Sequence, residues 1–297
     1  MTAPRTPPKS GIDRTGFAPG RWIRRALAAV IVIFFVLFFA TPLAWLLLAP
    51  TKSTAQLEGL HGEQPFSFGS FAQLAENWTR LLGFQHGIIL TWLGNSVLYS
   101  GVALVLSLLV TIPAGYALAT IDFRFRRVLL VATLMVMLIP FTALVLPIFL
   151  ELSIVHLIGS PLALILPFSF FPFGVYLAYL YFSTSISRDL LEAARIDGAG
   201  EVRVFVSIAL PLATPVIALV GFFNVVTNWN NYFLPFVTQP GSTRMPVQVG
   251  LTELFSNGIS GPPLALATLV AIAPVLVIFL FSQRFLVSGL TAGATKE

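Results

Sequence analysis

Cysteine is absent from the chain, and charged residues are scarce. None of the 297 residues is cysteine, which excludes a disulfide scaffold, a thiolate metal site and a cysteine nucleophile. Charged residues make up 10% of the chain, against roughly 25% in an ordinary soluble domain, and 57% of the chain is hydrophobic. Because so little polar surface cannot cover a soluble globule of this size, the composition predicts a polytopic membrane protein.

The residues needed for most catalytic or ion-coupling chemistry are also missing. None of the three lysines follows a glycine, so the chain has no phosphate-binding loop for ATP. The three histidines lack the HExxH spacing of a zinc hydrolase. No ionisable residue lies at the centre of an apolar run, and Glu151 is expected in a hydrated loop at the outer end of a span. We therefore predict no catalytic residue, no metal site and no cofactor in this chain.

Long apolar runs free of charge indicate membrane-spanning helices. Crossing about 30 Å of hydrocarbon takes roughly 20 helical residues, and the chain contains six runs of sufficient length. The sequence therefore predicts an all-α membrane protein with six transmembrane helices. Trimmed by turn signals, the spans are residues 26–48, 95–119, 128–150, 161–182, 215–236 and 263–281.

The distribution of lysine and arginine predicts the orientation of these spans. Fourteen of the 17 basic residues lie on the side of the two termini, which makes both termini cytoplasmic. Residues 1–25 are rich in Pro, Gly, Thr and Arg and are expected to form a disordered cytoplasmic tail, and residues 286–297 a second tail. The net charge of +5 comes from residues flanking apolar runs, so we expect a lipid bilayer and no nucleic acid as partner.

The segment between the fourth and fifth spans contains the most informative pattern. Ser187 or Asp189 can cap a helix, and Gly198 permits a left-handed turn at its end. A second short helix is expected over residues 200–207. Two short helices that meet at a glycine form either a knob that fits another protein's cleft or an amphipathic loop lying on the membrane surface.

This segment resembles the coupling-loop signature of binding-protein-dependent ABC importer permeases. The signature reads Glu-Ala-Ala, three residues, Gly, nine residues, then Ile-x-Leu-Pro. This chain matches it at Glu192, Ala193, Ala194, Gly198, Ile208, Leu210 and Pro211. Further segments are similar to the carbohydrate-import branch, and to the second, six-span permease subunit of maltose-type systems within it. They are residues 93–96, 114–118, 139–140, 229–230 and 289–296.

The resemblance implies a fold, partners and site residues. Residues 26–285 would form a permease domain of the ABC importer type, with a coupling loop at 186–207 that docks on a cytoplasmic ATPase. Glu192 would contact the ATPase, Gly198 would allow the bend, and Asp197 belongs to the same docking set. The partners would be a second permease subunit in a heterodimer, two ATPase subunits that bind ATP and Mg, and an extracytoplasmic solute-binding protein.

The implied function is translocation of a sugar, glycoside or polyol across the cytoplasmic membrane, with ATP hydrolysed by a separate subunit. The chain itself would catalyse no covalent step. Two alternatives remain open: an ATP-independent secondary carrier, and a membrane scaffold that only recruits an ATPase. A carrier would need an ion site, which the sequence does not reveal.

A polar stripe on the fifth span is a candidate solute path. At 100° per residue, the polar side chains fall within an arc of about 100° on one helix face. Such a stripe either lines the path or hydrogen-bonds a neighbouring helix. Its members are Asn224, Thr227, Asn228 and Asn231. Trp229 and Tyr232 could stack on a sugar face, although aromatics near the interface commonly anchor a helix among the lipid headgroups.

Overall fold

The computed structural model describes residues 20–59 and 64–291, and these ranges contain helices and loops without a β-strand. Fifteen α-helices occur there. In chain order they are α1 Gly20–Leu48, α2 Thr54–Leu57, α3 Phe71–Gly83, α4 Ile88–Thr120, α5 Arg126–Met137, α6 Phe141–Ile154, α7 Leu162–Ser169, α8 Pro172–Thr184, α9 Arg188–Ile196, α10 Glu201–Val204, α11 Leu210–Leu212, α12 Thr214–Trp229, α13 Phe233–Thr238, α14 Val247–Ser256 and α15 Pro262–Thr291.

Four stretches of the described chain are long and apolar enough to cross a membrane, and two bent helix pairs raise the number to six. The four stretches are Trp22–Thr51, Ile88–Thr120, Leu162–Thr184 and Pro262–Arg284. One bent pair is α5 with α6, and the other joins the segment Glu201–Leu212 to α12. The prediction of an all-α membrane fold is confirmed, with six crossings when each bent pair counts as one.

The first and last helices extend further than the sequence predicts. Helix α1 begins at Gly20, so residues 20–25 are helical and not part of a disordered tail. Helix α15 continues to Thr291, ten residues beyond the predicted end of the sixth span and into the predicted second tail. The remainder of the two predicted tails, residues 1–19 and 292–297, lies outside the described residues. Both helices include charged residues, such as Arg24 in α1 and Arg284 in α15. A helix forms its hydrogen bonds within its own backbone, so it can continue past the hydrocarbon into the polar region.

Helix α4 is the centre of the bundle. It starts at Ile88, seven residues before the predicted span, because the left-handed Gly87 ends the preceding turn there. It contacts α7, α8, α12 and α14. Its buried side chains include small residues spaced three or four apart, which let neighbouring helices approach closely. They are Ser96, Ser100, Ala103, Ser107, Thr111 and Gly115.

The third span, predicted at residues 128–150, is broken into two helices. Helices α5 and α6 meet at an angle of 104° across Leu138 to Pro140. Proline disfavours helical geometry at the residue before it, and Pro140 itself is extended, with φ −60° and ψ 128°. The two halves therefore point in different directions and leave a groove between them and the fourth span.

The fourth and fifth spans also differ from their predicted bounds. The fourth, predicted at 161–182, runs from Leu162 to Thr184 and is interrupted at Phe170 and Phe171, just before Pro172. The fifth, predicted at 215–236, ends as a helix at Trp229, and the short helix α13 follows a break of three residues. A bend of 77° separates α12 from the segment before it.

A buried lysine organises the segment between the first two spans, for which the sequence shows no motif. Lys52 is 1% exposed, and its ammonium donates hydrogen bonds of 2.8 Å to the main-chain oxygens of Gln64 and Pro65. The side chain of Asn77 on α3 donates to the main-chain oxygens of Pro50 and Lys52, both at 2.9 Å. These bonds fasten α3 and the loop before it to the end of α1.

Candidate functional site

Residues 186–211, which we name the signature loop, begin after α8 and end within α11, and they contain two short helices, α9 and α10, that meet at a glycine turn. Helix α9 follows Ser187, as predicted, although the Ser187 side chain makes no capping hydrogen bond. Gly198 has φ +84°. The amide of Gly198 donates to Arg195 O and that of Ala199 to Ala194 O, both at 3.0 Å. This pair of bonds is the Schellman ending of a helix, for which glycine is favoured.

The root of the signature loop is buried and its tip is exposed. Leu191 and Val204 are 1% and 0% exposed, and both pack in a cluster formed with α4, α8 and α12. At the tip, Ile196 is 86% exposed and Val202 77%. Burying an aliphatic side chain is worth about 1.5 to 3 kcal/mol. Two exposed apolar side chains at the end of a loop whose base is buried therefore form a surface suited to binding a partner.

The structure divides the residues of the signature into two groups. The amino-terminal group is at the surface: Glu192, Ala193, Asp197 and Gly198 are exposed, and Ala194 is half-buried. In the carboxyl-terminal group, Ile208 and Leu210 pack against the buried cluster, whereas Pro211 is exposed. The carboxyl-terminal group begins within a π-helical turn, Phe205–Ala209, which contains Ile208. Such turns are rare and often occur at functional sites.

Two charged residues that the sequence analysis did not select form the strongest polar contact of the loop. Glu201 accepts hydrogen bonds from Arg195 Nε at 2.7 Å and from Arg195 Nη2 at 3.2 Å. These hydrogen bonds raise the pKa of Arg195 above its ordinary value. The hydroxyl of Tyr116 on α4 donates to Glu201 Oε2 at 3.5 Å. Only the turn at Gly198, which reverses the chain, indicates from sequence that Arg195 and Glu201 could meet.

The polar stripe of the fifth span is used mainly for contacts within the bundle. Asn224 is 1% exposed and donates to the main-chain oxygen of Phe168 at 3.2 Å. Asn228 donates to Asn224 Oδ1 at 3.2 Å. Asn231 lies beyond the end of α12, where its side chain accepts a hydrogen bond from the amide of Leu234. The stripe was predicted either to line the solute path or to hydrogen-bond a neighbouring helix. Asn224 has the second role.

A groove of about 750 Å³ opens beside the broken third span. Its walls come from α5, α6, α7 and α8 and are mostly aromatic and aliphatic, including Phe141, Phe168, Phe170, Phe171 and Phe173. Thr227 of the polar stripe and Glu151 are among the few polar side chains that face it. A concave, mainly apolar surface with few polar groups is the usual form of a ligand or partner site.

Trp229 is not available to stack on a solute. It is 3% exposed, and its indole N–H donates to the main-chain oxygen of Ala271 on α15 at 3.0 Å. Tyr232 is half-buried and stacks on Phe236, with ring centroids 5.4 Å apart. Trp229 therefore joins two helices of the bundle, a role that neither prediction for the aromatic residues included.

These features define a membrane permease: a bundle of apolar helices, a groove beside a broken span and an anchored loop with an exposed tip. The chain belongs to the family described as binding-protein-dependent transport system inner membrane component, whose family model matches residues 111–292. It is accordingly a multi-pass inner-membrane component of an ABC importer, a system that works with an ATPase and a solute-binding protein.

Curated relatives cover most of the chain. It is 34% identical over 213 residues to the arabinooligosaccharides transport system permease protein AraQ of Halalkalibacterium halodurans, covering 71% of this chain and 76% of the relative. It is 33% identical over 264 residues to AraQ of Bacillus subtilis, covering 88% and 92%.

A solved structure confirms the fold. A crystal structure of a bacterial ABC transporter involved in the import of the acidic polysaccharide alginate matches with a TM-score of 0.76 and 24% identity. The match covers 94% of this chain and 99% of that one.

Proposed function

We propose that this chain is the permease subunit of a carbohydrate importer and forms the membrane path for a sugar, glycoside or polyol. The names of the relatives support this substrate class, since they include permeases for arabinooligosaccharides and maltodextrin. Within the importer, the chain pairs with a different permease subunit, and two ATPase subunits and one solute-binding protein complete the complex. Both termini lie in the cytoplasm, in agreement with the excess of basic residues on their side.

ATP and Mg bind to the ATPase subunits, and this chain catalyses no covalent step. Its contribution is mechanical: closure of the ATPase dimer favours one arrangement of the membrane helices over another, because the two arrangements contact the ATPase differently. The absence of a Gly-Lys pair from the sequence supports this division of labour.

The observation that carries the proposal is the exposed apolar tip on a buried root. Ile196 on α9 and Val202 on α10 present apolar surface. Glu192 and Ala193 on α9, and Asp197 at its end, are exposed beside Ile196. In this arrangement the tip inserts into a groove of the ATPase. Leu191 and Val204 carry the resulting force into the membrane bundle.

The carboxyl-terminal part of the signature has a supporting role in this proposal. Ile208 and Leu210 hold the loop against the buried cluster, and Pro211 leads into α12. Gly198 forms the turn between the two helices, and a side chain there would meet no neighbouring atom within 4 Å but would be strained by the positive φ. The signature thus combines a docking surface with the support that keeps it in place.

The solute path in this proposal follows the groove beside the third span. Thr227 faces the groove, and Asn228 and Asn231 line a smaller cavity that also contains Ser96, Ser100 and Tyr99. Asn224 holds Asn228 in position through their 3.2 Å hydrogen bond. A sugar needs polar partners as well as apolar walls, and this junction of the groove and the stripe offers both.

The test measures ATPase binding and uptake in proteoliposomes that contain the complete complex, with labelled arabinotriose and maltotriose as probes. Glu192→Lys reverses a charge and Ile196→Asp places a charge on the apolar tip. Disrupting a charged contact at an interface costs about 2 to 5 kcal/mol, which corresponds to a loss of ATPase binding of roughly 30-fold to several thousandfold. Glu297→Lys, at the last residue of the sequence, is the matched charge control and should bind and transport as the unmodified chain does.

Three results would contradict the proposal. Full ATPase binding and ATP-driven uptake by Glu192→Lys and Ile196→Asp would show that the signature loop is not the docking element. Uptake of the probes by this chain alone under an ion gradient, without an ATPase, would favour a secondary carrier. ATPase binding without any effect of solute on ATP hydrolysis would favour the scaffold.

A further inference from the structure

Glu201 occupies the point where the signature loop meets the central helix of the bundle. It is the first residue of α10, directly after the turn at Gly198, and its carboxylate accepts two hydrogen bonds from the guanidinium of Arg195 at the end of α9. Such a two-point contact fixes the relative orientation of the two groups as well as their distance. The two short helices of the loop are therefore locked to each other across the turn.

The same carboxylate also reaches α4. Its Oε2 atom accepts a hydrogen bond from the hydroxyl of Tyr116, which is 3% exposed. The Tyr116 ring is held at 5.4 Å from the ring of Phe182 on α8 and at 4.9 Å from that of Phe205 in the π-helical turn. Because packing fixes the ring, the hydroxyl has a defined position relative to Glu201.

The other contacts near the signature loop do not fix its orientation relative to α4. The apolar contacts of Leu191 and Val204 are shared among α4, α8 and α12, and apolar contacts are not directional. Arg126 donates to the main-chain oxygens of Leu118 and Ala119 at 2.7 and 3.0 Å, but it ties α5 to the end of α4 and not the loop to α4. The carboxylate of Glu201 hydrogen-bonds both Arg195 at the end of α9 and Tyr116 on α4, so this one side chain links the two helices of the loop to each other and to α4.

The opposite end of α4 is fastened to a different segment. The side chain of Asn95 donates to two main-chain oxygens of residues 243–247, both at 2.9 Å. Ser96 Oγ accepts from a main-chain amide there at 2.8 Å, and the hydroxyl of Tyr99 donates to a main-chain oxygen at 3.0 Å. Tyr99 and Tyr116 are about 26 Å apart along a helix that rises 1.5 Å per residue, so α4 connects the signature loop to the far end of the bundle.

We infer that Glu201 is the positioning residue that ties the signature loop to α4, so that movement of the loop reaches residues 243–247 at the opposite end of the bundle. The inference deepens the proposed function and rests on the loop being the element that docks on the ATPase. Coupling between distant sites requires an element whose position both sites bias, and α4 is attached at its two ends to the two segments concerned. Arg195 and Tyr116 hold the carboxylate of Glu201 between them.

The experiment follows the movement directly and needs no knowledge of the solute. Because the chain has no cysteine, spin labels can be placed at two introduced cysteines, Thr252→Cys on α14 and Ile154→Cys on α6, both at exposed positions. In the complete complex in nanodiscs, addition of Mg-ATP and vanadate should change the distance between the labels. Glu201→Gln and Tyr116→Phe are then compared in this background, with ATPase binding and nucleotide trapping measured on the same samples.

Both variants should bind the ATPase and trap nucleotide as before. In Glu201→Gln, the ratio of shifted to unshifted label distances should fall about tenfold, since a hydrogen bond to a charged group contributes enough to shift an equilibrium by about one order of magnitude. Tyr116→Phe keeps the packed ring and should lower the ratio by about threefold, because its hydrogen bond to Glu201 is long. Glu201→Asp, which retains the charge, should recover part of the shift, and Glu58→Gln on the exposed surface near α2 should leave it unchanged.

A full distance change in both Glu201→Gln and Tyr116→Phe would overturn the inference. Loss of ATPase binding in both variants would also overturn it, because Glu201 would then support the shape of the docking surface and not transmission. Failure of the proposed function gives a different result. In that case the unmodified chain would bind no ATPase through the signature loop, and Ile196→Asp would be without effect.

Discussion

Gly115 lies at a close contact between α4 and α8, and its replacement by alanine should separate the two helices. A methyl group added at Gly115 would lie 2.4 Å from Ala178 Cβ, 2.8 Å from the amide nitrogen of Tyr179 and 2.9 Å from the carbonyl carbon of Ala178. Carbon atoms in ordinary contact are about 3.5 to 4.0 Å apart, so the helices must move by about 1 Å. Two of the three neighbouring atoms belong to the main chain and cannot rotate away.

The free energy of unfolding should fall as a result. Inserting a methyl group into a packed contact costs about 1 to 3 kcal/mol, and the better helix propensity of alanine returns up to about 1 kcal/mol. The net loss is about 1 to 2 kcal/mol, which in a chain of this size lowers the melting temperature by about 2 to 8 °C. Thermal unfolding of the purified complex in nanodiscs measures this change.

Gly101→Ala on the same helix is the matched control. Among the described residues, a methyl group at Gly101 would meet no atom of a neighbouring element within 4 Å, so only the gain in helix propensity remains and the melting temperature should stay the same or rise. If Gly115→Ala proved as stable as Gly101→Ala, the close approach of α4 and α8 would not exist in the native complex. The reasoning from the small-residue stripe of α4 would then be refuted.

Two further predictions concern buried polar groups. Lys52→Met removes the two hydrogen bonds from the Lys52 ammonium to the loop before α3, so limited proteolysis of membrane vesicles should cut this segment faster, and an unchanged rate would contradict the role assigned to Lys52. Trp229→Phe keeps most of the packing but removes the indole hydrogen bond to the main-chain oxygen of Ala271, which contributes about 0.5 to 1.5 kcal/mol. The melting temperature should fall while ATPase binding stays unchanged, and an unaltered melting temperature would show that the bond is not needed.

The sequence alone was sufficient to predict the class of fold and the position of the signature loop. A bilayer requires each spanning segment to be apolar for about 20 residues and to satisfy its own backbone, so composition and run length indicate helices directly. The turn at Gly198 was predicted for a similar reason, because a left-handed residue at the end of a helix is a local property of the backbone. Both predictions depend on neighbouring residues only, and the structure confirms both.

The course of the broken spans could be predicted only in part. Pro140 signals that α5 should end before it, yet the 104° angle between α5 and α6 depends on the helices against which each half packs. The same holds for the polar stripe. Its spacing shows that Asn224 shares a face with Asn228, but only the tertiary structure places the Phe168 carbonyl within hydrogen-bonding distance of Asn224.

The contacts on which the mechanism depends were decided by tertiary structure alone. Tyr116 and Glu201 are 85 positions apart, and Asn95 is separated by about 150 positions from the segment it holds. No periodicity or motif links such residues, because their proximity follows from how the helices between them cross and not from any property of the local chain. The sequence determined which segments enter the membrane, since that depends on each segment's own transfer free energy. The packing of those segments determined which polar groups meet, since a hydrogen bond needs two groups that the fold has already brought within about 3 Å.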